Sequence, residues 1–323
     1  MGFFRSILKA TMFKRYSGDL WGGFAAMLVA LPSAIAFGIT IFAPLGAEFG
    51  AKGALAGMLG VTALGLIAAT FGGTQRLISA PCAPAAAVLS ALTIQMSQAG
   101  VGSGAIVMSL FLVALVASGS QILFGVLKIG QLIKYMPFPV VSGYLSGVGL
   151  IIIFSQIPKW LASPKGMNWF DGFQHPELWQ TPSLLIGMAT AVVMVMAPKI
   201  SNKVPAVIQG LVAGVLMYWC LAFFAYPELQ ALANNHFVIG PLSADLGGMG
   251  QAITAPWVSL GQMTLPHWEQ VLVPALTLAV LLSIDTLKTC VVLDALSGTR
   301  HNSNKELIGQ GLGNLVSTLI GGS

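Results

Sequence analysis

The sequence predicts an all-α integral membrane protein, on three observations: its composition, its succession of long apolar runs, and the uneven placing of its basic residues. Of 323 residues, 56% are hydrophobic and 8% are charged, and the mean hydropathy is +0.84. A soluble domain carries about 25% charged residues, so this chain has too little charge to cover a water-facing surface. Apolar runs fall at 20–43, 51–72, 77–95, 104–127, 131–157, 183–198, 204–225 and 269–296, and a ninth begins near Glu306 and reaches the end. A helix needs about 20 apolar residues to cross a bilayer, and the short gaps between runs argue for one helical bundle. With the N-terminus cytoplasmic, Arg5, Lys9, Lys14, Arg15, Arg76, Lys128, Lys134, Lys199, Lys203, Arg300 and Lys305 lie inside. Lys52, Lys159 and Lys165 lie outside, and Lys288 falls within a span. That bias sets the orientation by the positive-inside rule.

Taken in order, residues 1–18 interleave Phe3, Phe4, Ile7, Leu8, Met12 and Phe13 with four basic residues, the pattern of an amphipathic segment on the cytoplasmic surface. The stretch from Leu20 to Ala43 is too long for a signal-peptide core and reads as a retained span. In the third run, Pro81 and Pro84 forbid a regular helix through residues 80–84, so an extended piece should lead into a helix starting near Pro84. That helix would begin inside the membrane, with its free N–H groups and positive dipole end directed into the bundle. Gly143 and Gly147 in the fifth run suit close helix packing. The connection from Tyr226 to His267 has no Lys or Arg, and its Trp257, with Tyr226 and Trp268, suits an interfacial belt. Cys82, Cys220 and Cys290 stand at unrelated spacings, and His175, His236, His267 and His301 read as loop or interface residues without metal-ligand spacing.

The last long run, Val271 to Leu293, places Asp285 about 5 Å from its centre at 1.5 Å per residue. An ionised group at that depth costs roughly 3 kcal/mol and survives where it faces a protein-lined cavity with a partner. Thr289 and Lys288 share its helix face. Three readings of Lys288 stand side by side: snorkelling to the interface, pairing with Asp285, or touching a solute directly.

The end of the second run, Leu66-Ile67-Ala68-Ala69-Thr70-Phe71-Gly72-Gly73, is loosely echoed by Leu315-Val316-Ser317-Thr318-Leu319-Ile320-Gly321-Gly322. Seven spans separate the two, so they run in opposite directions. Weak internal symmetry of this kind is expected of an inverted-topology repeat.

These residues resemble the SulP (sulfate permease) family of anion transporters, and the branch most resembled contains sodium-dependent bicarbonate transporters. The resemblance rests on Gly18-Asp19-Leu20 with Ala30-Leu31-Pro32-Ser33-Ala34-Ile35-Ala36-Phe37-Gly38, on the Pro-broken third run, and on the string His301 to Asn314. It implies a 7+7 inverted-repeat fold in which a core domain moves against a gate domain, and a homodimer. It also implies a small inorganic anion held at half-helix N-termini. On that pattern residues 19–225 are the first repeat, with core spans 1–4 and gate spans 5–7. Residues 226–268 are an extracytoplasmic loop, and 269–323 open the second repeat with spans 8–9. The rest of that repeat and a C-terminal soluble domain lie beyond the chain, which is expected to be part of a longer product.

The resemblance places Ser33, Phe37, Cys82, Ala83, Pro84 and Ala85 at the anion, Ala83 standing where the family has Gly. It places Asp285 and Thr289 at a sodium site, so that sodium or a proton is the expected coupling ion and no other cofactor is called for. Lys288 departs from the sodium-coupled pattern. A bacterial-type inner membrane is the implied location, with lipid and the anion as partners and no nucleic acid. An intramembrane enzyme would need a nucleophile–base pair or metal ligands within the spans, and none of the histidines lies deep in one. A non-transporting subunit would not need an intramembrane acid beside a broken helix. An anion channel or a nucleobase carrier of the same fold remains the near rival.

Overall fold

A computed structural model describes residues 2–46, 49–135, 138–161, 169–201, 204, 206–231, 235, 257 and 268–322. Regular secondary structure among them is helical: α1 (Gly2–Phe42), α2 (Phe49–Phe71), α3 (Ala83–Gln98), α4 (Ser103–Val126), α5 (Phe138–Trp160), α6 (Trp169–Gln174), α7 (Thr181–Ile200), α8 (Ala206–Phe224), α9 (Trp268–Ser297) and α10 (Ser303–Leu319). Six helical stretches among the described residues are long and apolar enough to cross a membrane. The chain divides into two compact units, residues 1–30 with 147–240 and residues 31–146 with 241–323. Asp245, His236, His267, Lys165, Lys203 and most of the 226–268 connection lie outside the described residues.

Four boundaries differ from the sequence reading, each for a local reason. Residues 1–18 are not set off from the first span by a break, because α1 runs helical from Gly2 through Pro32 to Phe42, 41 residues in all. The third run is irregular as far as Cys82, an extended residue at φ −109° and ψ 145° that starts α3 at Ala83, with Pro84 in the first turn where its missing N–H costs nothing. The fifth run opens as a 3₁₀ helix, Ile129–Tyr135, and α5 starts only at Phe138, with Pro139 in its first turn where the missing N–H costs no intrahelical bond. The last helix starts at Ser303 rather than Glu306, with the Asn302 side chain accepting from the Lys305 N–H at 3.1 Å as its N-cap.

In the unit of residues 1–30 and 147–240, α7 packs against α8. Gly210 lies under the Met194 side chain, Gly214 under Thr190, and the Tyr218 hydroxyl donates to the Leu229 carbonyl at 2.6 Å. In the other unit, α1 and α2 meet backbone to backbone. A Cβ on Gly38 would collide with the Gly53 carbonyl, and one on Gly57 with the Ala34 carbonyl. Gly143 and Gly147 make no such approach: a Cβ there would meet nothing within 4 Å among the described residues.

The string His301 to Asn314 explains itself in packing. Gly309 lies on the backbone of Gly72, Gly311 on that of Ile122, and Gly313 on Leu64, so that α10 wedges between α2 and α4 without side-chain bulk. Gly73 meets Asn302 at one end of the α2–α10 contact and Gly60 meets Gly322 at the other, so the two helices run antiparallel. The described Trp257 binds the Leu319 carbonyl through Nε1 at 3.2 Å and meets the Phe111 ring edge-on, which ties its connection to α4 and α10.

Candidate functional site

The turn that ends α2 is held by α10. The Glu306 carboxylate, 1% exposed, accepts from the Gly73 and Thr74 N–H groups at 2.7 and 3.0 Å, and its other oxygen accepts from Gln310 Nε2 at 2.8 Å. Gln310 also donates to Ser79 Oγ, and the Asn302 N–H donates to the Gly73 carbonyl at 3.0 Å. One buried acid thereby fixes the extended segment 73–82 and, through it, the position at which α3 can start. Cys82 caps α3 without a side-chain hydrogen bond, so the first N–H groups of α3 are left to whatever faces them.

The start of α3 borders, through Cys82, Ala85 and Ala86, a cavity of about 120 Å³ inside the unit of residues 31–146 and 241–323. At about 30 Å³ of liquid per water molecule, that is room for a small ion and its partners, well below the 300 Å³ and more of a drug-sized pocket. Phe37 of α1, Cys82 and Ala85 at the start of α3, and Asp285 of α9 line it. So do Gln121 of α4 and Gln310 and Asn314 of α10. Most of the remaining lining is Ala, Leu, Ile and Gly.

Of the residues named from sequence, the structure thus brings Phe37, Cys82, Ala85 and Asp285 to one cavity. Ala83 and Pro84 are in the same first turn of α3 but outside the lining, and so is the half-buried Ser33, one turn before Phe37. Lys288 Nζ lies 2.9 Å from Asp285 Oδ1 with only 3% of its side chain exposed. The pair is therefore formed and the lysine does not snorkel. The Thr289 side chain is exposed, and its hydroxyl donates to the Asp285 backbone carbonyl at 2.8 Å. What Asp285 Oδ1 faces is an ammonium. No group of three or more His, Cys, Asp or Glu side chains able to hold a metal ion occurs among the described residues.

Three features escaped the sequence reading. Glu306 and Gln310 stand at i, i+4 in a helix start and look like a solvated face until α2 is laid against them. Gln121 sits alone in an apolar run. His301, read as an interface residue, is instead a buried link, with Nδ1 2.7 Å from Asp294 Oδ2 and Nε2 2.9 Å from Ser303 Oγ, and it joins the end of α9 to the start of α10. An Asp seven residues before the His was the only available signal.

A multi-pass helical membrane protein with an ion-sized cavity at the start of a broken helix is what these elements define. The chain belongs to the sulfate permease family, which it matches over residues 16–323. It is 35% identical over 318 residues to the bicarbonate transporter BicA of Picosynechococcus sp. strain PCC 7002, a match taking in 96% of this chain and 51% of that protein. Identity to BicA of Synechocystis sp. strain PCC 6803 is 35% over 316 residues, again covering 96% and 51%. The chain thus spans about half the length of the curated relatives it matches. The solved transmembrane domain of a cyanobacterial BicA superposes with a TM-score of 0.69 at 34% identity, covering 96% of this chain and 73% of that one. These relatives are transporters, not enzymes.

Proposed function

We propose that the protein is a secondary transporter of a small inorganic anion of the bicarbonate or sulfate class, and that the anion sits at the start of α3. The observation that carries this reading is the juxtaposition, in one ion-sized cavity, of an uncapped helix N-terminus and a carboxylate already neutralised by a buried lysine. A helix start is worth roughly half a positive charge. With Asp285 and Lys288 cancelling, that half charge is the uncompensated field an anion meets, and the apolar remainder of the lining keeps it from being screened. An anion bound this way is held weakly enough to leave.

On this reading the remaining expectations fall together. The chain supplies part of a 7+7 inverted repeat, a core moves against a gate in alternating access, the protein is a homodimer, and it lies in a bacterial-type inner membrane with its N-terminus inside. Lys288 occupies the place of a coupling cation beside Asp285, so uptake is expected to depend little on sodium, with a proton as the alternative coupling ion. The test is uptake by the complete gene product in liposomes, with sulfate, bicarbonate, chloride and dicarboxylates each measured with and without a sodium gradient. Saturable uptake of bicarbonate or sulfate, changed less than about twofold by sodium, is the expected result. Uptake of none of the inorganic anions, or of uracil in their place, contradicts the assignment.

A further inference from the structure

The anion transport just proposed leaves unexplained a feature on the wall formed by α4 and α10. Gln121 is 1% exposed and lines the cavity. Its Oε1 accepts from Asn314 Nδ2 at 2.9 Å, while its Nε2 is buried with no hydrogen-bond partner among the described residues. An amide nitrogen left unsatisfied in an apolar interior costs about 1–3 kcal/mol, and buried polar side chains in native structures overwhelmingly find partners. A glutamine there with its oxygen taken and its two N–H groups idle points to a partner that occupies the cavity.

The neighbouring polar groups sharpen the chemistry required of that partner. The Ser118 hydroxyl donates to the Ala114 carbonyl at 2.6 Å and the Thr318 hydroxyl to the Asn314 carbonyl at 2.8 Å, so both present lone pairs rather than protons. Both Gln310 N–H groups are used, one by Glu306 and one by Ser79. Both N–H groups of Gln121 Nε2 are thus uncommitted on this wall, and they call for an acceptor oxygen.

We infer that Gln121 is a ligand of the transported anion: its Nε2 donates to one oxygen of an oxyanion whose other oxygens face the α3 N-terminus. This rests on the anion-transport reading and adds a specificity element that helix dipoles alone lack. A helix start attracts any anion by charge, whereas a second, laterally placed N–H pair favours an anion that presents two oxygens to two walls. Asn314 is then a positioning residue, since its bond to Oε1 fixes which end of the amide is turned to the ligand.

The test compares wild type, Gln121→Met and Gln121→Glu in the complete gene product, by anion uptake in liposomes and by thermal unfolding with and without the anion. Methionine keeps the length of the side chain and removes the donors. Glutamate keeps the oxygen that receives the Asn314 bond and is the second variant should Met disturb folding. The expected result is a rise in KM for bicarbonate or sulfate on the order of tenfold to a hundredfold. Vmax should stay within about twofold and the stabilisation by anion should be lost; the anion-free melting temperature of Gln121→Met falls by the lost Asn314 bond alone, so KM is the readout that decides. Wild-type kinetics in both variants overturn the role of Gln121 while leaving anion transport standing. A purely structural glutamine would lower the anion-free melting temperature and leave KM alone, which also overturns it. If wild type carries no inorganic anion, the transport reading fails, and this inference with it.

Discussion

Lys288→Met in the complete gene product is expected to lower anion uptake at least tenfold in sodium-free buffer and to make the remaining uptake rise with sodium. The reason is electrostatic. Lys288 is 2% exposed and its ammonium meets Asp285 Oδ1 at 2.9 Å. Removing one member of a buried pair leaves the other uncompensated, at about 3–5 kcal/mol, and the carboxylate so exposed lines the cavity that receives the anion. Like charge repels the solute until a cation from solution takes the place of the ammonium. Each 1.4 kcal/mol is a factor of ten in affinity, so a tenfold loss is the least the geometry implies. Asp285→Asn combined with Lys288→Met removes both charges, and it should recover more than half of the lost uptake if the two residues act as a pair. Unchanged uptake and unchanged sodium response in Lys288→Met would show that the pair is structural only.

Glu306→Ala is expected to cost about 3 kcal/mol or more in stability, because it strips a fully buried acceptor from the Gly73 and Thr74 N–H groups and from Gln310 at once. At roughly 2–4 °C per kcal/mol, the thermal midpoint of the purified protein should fall by about 6 °C or more. Uptake should fall with it, since the segment that Glu306 holds ends at Cys82. Glu177→Gln is the matching control. Glu177 is also within hydrogen-bond distance of a neighbour, His175 at 2.8 Å, but both side chains are exposed, and such a pair contributes little. A midpoint within about one degree of wild type for Glu306→Ala would mean that the α2–α10 junction does not depend on this acid.

The parts of the site that local rules control were legible in the sequence. Two prolines three apart forced the chain to restart a helix near Pro84, and it restarts at Ala83. An acid and a lysine three residues apart in an apolar run had to share a face, and they form the pair. Phe37 came from the family resemblance and does line the cavity, while Ser33, from the same string, does not. What stayed hidden depends on contacts far apart in the chain: Glu306 caps a turn 233 residues away, and Gln121 is held by Asn314, 193 residues on. No periodicity carries such a contact. The glycines of 309–313 were visible as a string, but only the helices on either side show that each marks a place where a Cβ cannot fit. Element starts slipped where caps and 3₁₀ turns decide them, as at Asn302 and Ile129.

The central claim is that the transported anion occupies the cavity at the start of α3, and the chain carries its own probe. Cys82 caps that helix and lines the cavity, whereas Cys220 is exposed and Cys290 is buried. In a Cys220→Ser background of the complete gene product, the rate of Cys82 alkylation by iodoacetamide should be measured against increasing concentrations of the transported anion. The account predicts that the anion slows the reaction with a half-effect concentration equal to its uptake KM, and that an untransported anion of the same charge does not. A Cys82 alkylation rate that stays constant while uptake saturates would place the anion elsewhere and contradict the account.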